Sequence, residues 1–510
     1  MEVRDYASAV QALNTLQSNF SAVEAIRKQG PGWNERALPE MRAWVRRMGY
    51  EPSDFDKLNL IHVAGTKGKG STSTFISSIL AQYLPSKLSI HAERLPTSVG
   101  LYTSPHLRFV RERIKIDNRP IPEDLFAKLF WDVWDRLEAT RPTDDTVYAR
   151  SADGKPVYFH YLTLMAFHCY MQEKVGSAVI ECGIGGEYDT TNILERPLTT
   201  GVTSLGIDHE AMLGNTLESI AWHKGGIFKQ NIPAFTVPQP TAALQVLHER
   251  AQERGTMLQV VQEYDALKSV NLGLQGDFQR VNASLAVAMC AAHLSRLGYS
   301  NMPDPTDSAA PLPVEFRSGL EKARLGGRCD IRLDVKVENL RWYIDGGHTL
   351  ESIEMAGRWF AQARRETEAQ LRILIFNQQT RDAPALARRL FATLASAIRT
   401  AAPFKHAIFC TNTTYQDGGY KPDLVSINTS RQDVDSLKVQ RELASAYDTI
   451  DPLATVHVVG TIEEGVARAR SIATESSQDT DVLVTGSLHL VGGLIEVLEA
   501  GFEGTDKAHA

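Results

Sequence analysis

The chain has 510 residues, 43% of them hydrophobic and 23% charged, with a formal net charge of −7. That length exceeds one ordinary core and suggests two or three domains. The acidic balance excludes the broad basic face of a nucleic-acid binder, so no nucleic-acid partner is expected and an anionic substrate must be met by local Lys and Arg.

The N-terminus carries Glu2 and Asp5 and already has helical periodicity, which argues against a signal peptide. Helices are expected over 5–28 and 36–49. "LNLIHVAG" (58–65) reads as a short apolar strand, and "STSTFISSILAQYL" (71–84) as a helix. Between them lies a Gly-rich loop, in the strand–turn–helix context of a phosphate loop. The alternation continues with a helix at 160–174, strands at 177–183 and 199–206, a helix at 216–229 and a strand at 233–237. "NMPDPTDSAAPLP" (301–313) is the best linker, rich in Pro, Ser and Asp. After it come strands at 341–347, 371–377, 405–410, 454–460 and 481–487, with helices at 349–366, 383–399, 461–474 and the C-terminal end. The expected fold is α/β: an N-terminal P-loop ATPase-like domain with a parallel-rich sheet over 1–310, including the helical N-terminal segment, and a smaller C-terminal Rossmann-like domain over 311–510. No run of 18 apolar residues suggests a membrane span. Cys169, Cys182, Cys290, Cys329 and Cys410 form no C-x-x-C pair, which fits a reducing compartment without a disulfide frame or zinc site.

The loop "HVAGTKGKGST" (62–72) departs from the common phosphate-loop pattern. That pattern puts Ser or Thr directly after Gly-Lys to bind Mg²⁺. Here Gly70 follows Gly68-Lys69, and Ser71 comes one place late. Gly65, Thr66, Lys67, Gly68, Lys69, Gly70 and Ser71 nevertheless form a candidate nucleotide site, with backbone N–H groups and a helix N-terminus facing the anion and Lys69 reaching the β- and γ-phosphates.

Four further stretches carry candidate chemistry. In "GLYTSPHLRFVRERIKID" (100–117), Pro105 restrains Ser104 to an extended backbone that could aim it at a metal, ahead of a strand dense in Arg and Lys. A solvated basic edge strand is the alternative. In "ECGIGGEYDTTN" (181–192), Glu181 ends an apolar strand where such folds bind ligands; it is a Mg²⁺ ligand or a capping carboxylate. In "GIDHEAMLGNTLESIAWHKGGIFK" (206–229), His209 is a metal ligand or an ordinary histidine, and Lys224 sits on a helix beside Trp222 and His223. In "LGGRCD" (325–330) and "YIDGGHT" (343–349), Arg328 could reach phosphate, Asp345 a ribose hydroxyl and His348 the nucleotide.

Together "LNTLQSN" (13–19), "HVAGTKGKGS", "GLYTSPHL", "RERI", "ECGIGGEYDTTNIL", "LGIDH", "LGNTLESIAWHKGGIFK" and "DGGH" resemble the folylpolyglutamate synthase branch of the Mur ligase superfamily, in its eukaryotic form, over about residues 5–495. The resemblance implies an ATP-dependent ligase that adds L-glutamate to the γ-carboxylate of a folate polyglutamate through an acyl phosphate. In this family Gly follows the Gly-Lys pair, so the loop is not defective. Ser104, Glu181 and His209 match the family's Mg²⁺ ligands, Arg328 and Asp345 its ATP contacts, and Lys224 a lysine carbamylated in many relatives. A carbamate there would serve a second Mg²⁺, and a monovalent cation is also admitted. The catalytic set implied is Lys69, His209 and Lys224, completed by closure of the two domains around ATP. Further implied are a monomer and a cytoplasmic location, with mitochondria as a second compartment.

Two alternatives stand beside this. One is dihydrofolate synthase, which adds the first glutamate to dihydropteroate. The other is a nucleotide switch, which would need a base-reading N-K-x-D motif that the sequence lacks. The segment "SKLSIHAERLPTS" (86–98) lines the folate pocket or is a bare surface loop.

Overall fold

The computed structural model describes residues 3–17, 35–84, 97–141, 154–364, 371–379, 382–416, 423 and 436–500. Residues 18–28 of the first expected helix, 86–96 of the expected pocket segment and 365–366 of the helix expected at 349–366 lie outside them. The chain divides into two compact units, Met1–His106, Val110–Leu274 and Phe278–Arg324 in the first, Leu107–Phe109, Gln275–Asp277 and Leu325–Ala510 in the second.

The first unit is built on β1 (Leu60–Ala64), β2 (Val99–Tyr102), β3 (Ile114–Ile116), β4 (Arg119–Pro120), β5 (Ser177–Glu181), β6 (Thr199–Val202), β7 (Ala234–Thr236) and β8 (Leu258–Val260). Among the described residues they form one sheet in the order β4-β3-β2-β5-β1-β6-β7-β8. The pairs β2–β3 and β3–β4 are antiparallel and the others parallel. β1 and β5, paired at Val63 and Glu181, are buried along their whole length, as strands covered on both faces must be. The helix Lys69–Leu80 follows β1 and the helix Tyr158–Gln172 precedes β5. Phe126, Phe130 and Tyr161 lead an aromatic cluster on one side, where Tyr161 keeps its hydroxyl satisfied by donating to the Phe130 carbonyl at 2.8 Å.

The segment after Thr-Ser-Pro is less of a strand than its pattern suggests. Val110–Arg113 is a 3₁₀ turn and only Ile114–Ile116 pairs, while the strand stands before the motif as β2. The Pro-rich 301–313 segment stays within the first unit, because the helix Val314–Lys322 beyond it packs on the helix Lys69–Leu80.

The second unit holds β9 (Asp330–Leu333), β10 (Leu340–Ile344), β11 (Leu371–Phe376), β12 (His406–Phe409), β13 (Thr455–Val458) and β14 (Thr480–Thr485), in the order β13-β12-β11-β14-β10-β9 among the described residues. All pairs are parallel except β9–β10. Trp342, Ile344, Ile373, Val482, Val484 and Leu494 centre its core. Among the described residues no helix is long and apolar enough to cross a membrane.

The helix contact at Gly319 leaves no room for a side chain: an added Cβ would lie 2.5 Å from Ile79 Cα, and Ser78 Oγ donates to the Gly319 carbonyl at 2.6 Å. Gly319→Ala is expected to force the two helices apart and cost about 1–3 kcal/mol, read as a lower urea midpoint for the first unit. An unchanged midpoint would contradict this packing.

Candidate functional site

The chain leaves β1 at Ala64 and turns into the helix Lys69–Leu80 through the Gly-rich loop. Two glycines in it admit no substitute. Gly65 has φ +146°, and a Cβ there would lie 1.8 Å from Thr203 Oγ1; Gly68 has φ +87°, and its Cβ would lie 2.1 Å from Asn282 Oδ1. The helix has no side-chain cap, and its first-turn N–H groups have no intrahelical acceptor. They are the natural seat for a phosphate oxygen.

The Thr66 and Lys67 N–H groups both donate to the Ser204 carbonyl, at 3.1 and 3.0 Å. Thr66 Oγ1 also donates to the Gly206 carbonyl, and Lys67 Nζ pairs with Asp208 at 3.4 Å. The start of the loop is thus fastened to the segment after β6, and the amides suited to phosphate begin at the helix.

Lys69 Nζ donates to the Gly65 carbonyl at 3.0 Å. Lys224, 159 residues further on, brings its Nζ to the same oxygen at 2.7 Å. Lys224 ends the helix Leu217–Gly225 and is only 3% exposed. Burial, with the Lys69 charge beside it, brings its ammonium from 10.5 down to about 7. A lysine in that state offers a neutral amine at physiological pH.

The expected metal ligands come from the carboxyl ends of β2 and β5 and the segment after β6. Ser104 and Glu181 come together: Glu181 ends β5, is 3% exposed, and accepts the Ser104 N–H at 3.1 Å. The buried Glu181 carboxylate and the Ser104 side chain both offer oxygen, the hard donor that Mg²⁺ prefers, so these two residues fit that ion. His209 stands exposed after β6 with φ +55° and opens the short helix Glu210–Leu213. It supplies nitrogen, a softer donor. Among the described residues no three His, Cys, Asp or Glu side chains are grouped to hold a metal.

The loop after Glu181 is pinned from beneath. Asp189 is buried and accepts the Ile184 and Thr191 N–H groups at 2.9 Å each and the Thr191 hydroxyl at 2.6 Å. Burial raises its pKa, and those donors oppose the rise. His62, its pKa lowered to about 3 by burial, bonds Thr191 at 2.9 Å. Arg254 and Arg250 grip Glu187 from the helix Thr241–Glu253 and its end.

Sequence reasoning missed the supports of the phosphate loop. Gln279 donates to Ser71 Oγ at 3.3 Å, and Asn282 bonds Gln279 while packing on Gly68. Gln239 holds the β6 exit through Leu205 N–H and the Thr203 carbonyl. The available signal was two amides three residues apart opening an otherwise apolar, buried helix, Gln279–Arg296.

On the second unit, Asp345 is buried at the end of β10 and accepts the Cys329 and Gly347 N–H groups at 3.0 and 2.9 Å. Its pKa is raised by burial, with the Arg328 charge opposing. In this structure the carboxylate braces the Gly-Gly turn, with lone pairs left for another donor. His348 Nδ1 donates to the Gly346 carbonyl at 3.0 Å, which orients the ring.

Residues 328–497 match the family described as dihydrofolate synthetase, C-terminal domain. A folylpolyglutamate synthase of Saccharomyces cerevisiae is 47% identical over 498 residues, 97% of this chain and 87% of its own length. The Mycobacterium tuberculosis folylpolyglutamate synthase complexed with ADP superposes with a TM-score of 0.70 at 19% identity, over 98% of this chain and 100% of that one. Escherichia coli FolC in complex with DHPP and ADP gives 0.64 at 22% identity, over 98% of each chain. These two likenesses establish the fold.

The Lys224 environment sets a pH dependence. Its folded pKa lies below the unfolded 10.5, so the unfolded chain holds that proton more tightly and stability rises as pH climbs from about 7 to about 10.5. Lys224→Met should therefore exceed the wild type in urea midpoint at about pH 6, with the gap closing towards about pH 10. A gap that does not change with pH would contradict the buried, neutral amine.

Proposed function

The chain belongs to the folylpolyglutamate synthase family, and on that footing we propose that it joins L-glutamate to the γ-carboxylate of a folate glutamate tail, with ATP converted to ADP and phosphate. The observation that carries this reading is the convergence of Lys69 and Lys224 on the Gly65 carbonyl at the head of an uncapped helix. Positive charge and open N–H groups meet there, as phosphoryl transfer requires.

A carboxylate does not condense with an amine at neutral pH, because oxide is a poor leaving group. Phosphoryl transfer from ATP makes it an acyl phosphate; the glutamate amine attacks through a tetrahedral intermediate, and phosphate leaves. The protein positions the reactants and neutralises charge, with no side chain as nucleophile. Lys69 and the first turn of its helix hold the γ-phosphate. Ser104 and Glu181 would hold Mg²⁺, with His209 as a further ligand, and the ion would supply neutralisation of phosphate charge. Lys224, as a neutral amine, could add CO₂ with release of one proton, and the carbamate would supply oxygen ligands to a second cation, either Mg²⁺ or a monovalent ion. Arg328, Asp345 and His348 are assigned to the nucleotide. We further infer a monomer working in the cytoplasm, with mitochondria as a second site.

The C-terminal match to dihydrofolate synthetase favours one second reading, glutamate addition to dihydropteroate. Incubation with Mg-ATP, glutamate and either tetrahydrofolate or dihydropteroate, read by mass spectrometry, separates the two. A glutamyl ladder on tetrahydrofolate alone is expected; product from dihydropteroate alone would move the assignment. Lys69→Ala should lower kcat by about 10²-fold or more with the fold intact, and full activity would overturn the phosphate-loop role.

A further inference from the structure

The second unit contains a cavity of about 540 Å³ that no step above uses. It lies at the amino ends of β11 and β12, the opposite edge of the sheet from Asp345 at the carboxyl end of β10. Arg372, Lys405 and Arg468 line it against one carboxylate, Glu475, in a chain whose formal net charge is −7. Phe404 and Ile472 give it an apolar wall.

Lys405 and Arg468 are exposed, and Arg372 is half-buried. Arg372 is held in place by donating from Nε to the Pro403 carbonyl at 2.6 Å and from Nη2 to the Ala402 carbonyl at 3.5 Å. Burial first, then the charge of Arg364, lowers its pKa, with Asp481 opposing. His406 lines the cavity with its ring stacked on His457, centroids 5.4 Å apart, and its Nδ1 lies 3.2 Å from His457 Nε2. Burial first, then Lys405 and Arg468, lower the pKa of His406, with Glu475 alone opposing. Burial, Arg468 and His406 do the same to His457. Cations therefore face this histidine pair from β12 and its approach and from the helix Ile462–Ser476.

We propose that this cavity binds an elongated anion with two or more negative charges, held by Arg372, Lys405 and Arg468. The volume falls in the range of small-molecule sites and exceeds what a single phosphate fills. An oligo-γ-glutamyl tail and a polyphosphate chain share this chemistry; the first source rests on the function proposed above. Because the cavity stands at the far edge of the sheet from Asp345, occupancy there would report on product or nucleotide level without competing at that carboxylate.

The test uses the full chain with ¹³C-labelled histidine side chains, the His406 signal being assigned through His406→Gln. Tri-γ-glutamate and inorganic tripolyphosphate are titrated separately. The expected result is a saturable shift of the His406 and His457 signals, whose protonation midpoints rise as a bound anion offsets the neighbouring cations. The double variant Lys405→Ala/Arg468→Ala should weaken that binding about tenfold or more, as should the charge-removing Arg468→Gln to a lesser degree. A shift with either probe supports the site, and the tighter of the two names its source. No shift with either probe at millimolar concentration, or the same affinity in the double variant, overturns the proposal, and neither result depends on glutamate ligation being the reaction.

Discussion

Two lysines that meet on one carbonyl oxygen in a dry pocket set the terms for the rest of the first unit. Burial is the larger cause of the low Lys224 pKa, and the neighbouring Lys69 charge adds to it. The carbonyl can serve both only because Gly65 lets the backbone turn against Thr203, and because Ser204 takes up the next two N–H groups. The loop is thereby stretched between β1 and the exit of β6, with its free donors displaced to the helix start. An arriving triphosphate would meet the Lys69 charge and the open helix N–H groups at the same point.

The surroundings show how costly that arrangement is to hold. Gln279 and Asn282 brace the helix side of the loop, and Asp189, His62 and Thr191 brace the loop that follows Glu181. These are buried polar groups satisfied mostly by one another, and such networks fix geometry at the expense of tolerance to mutation. Ser104 and Glu181 are tied together by a backbone-to-carboxylate bond at the ends of adjacent parallel strands.

Much of this was legible in the sequence, for identifiable reasons. β1, β5 and the helix after the loop are short apolar runs with Gly at their boundaries, and both sheets follow from strands alternating with helices. The role of Lys67 was not legible, because its partner Asp208 is 141 residues away and only the fold places them together. The supports Gln279 and Asn282 were hidden for the same reason. β2 has four residues, too few to show a period, and the basic pattern after it drew attention to the wrong segment. The helices Glu123–Ala139, Thr241–Glu253 and Lys438–Ile450 carry no chemical motif and were passed over, although the first contributes Phe126 and Phe130 to the core.

The central claim is that the paired lysines and the uncapped helix serve phosphoryl transfer to a carboxylate. It is tested most directly by following oxygen. A folate substrate whose terminal γ-carboxylate is labelled with ¹⁸O is turned over with unlabelled ATP and glutamate, and the released phosphate is weighed by mass spectrometry. An acyl phosphate route carries one labelled oxygen into each phosphate released. Phosphate without the label, formed in step with glutamyl product, would mean that the carboxylate is activated some other way and would contradict the account.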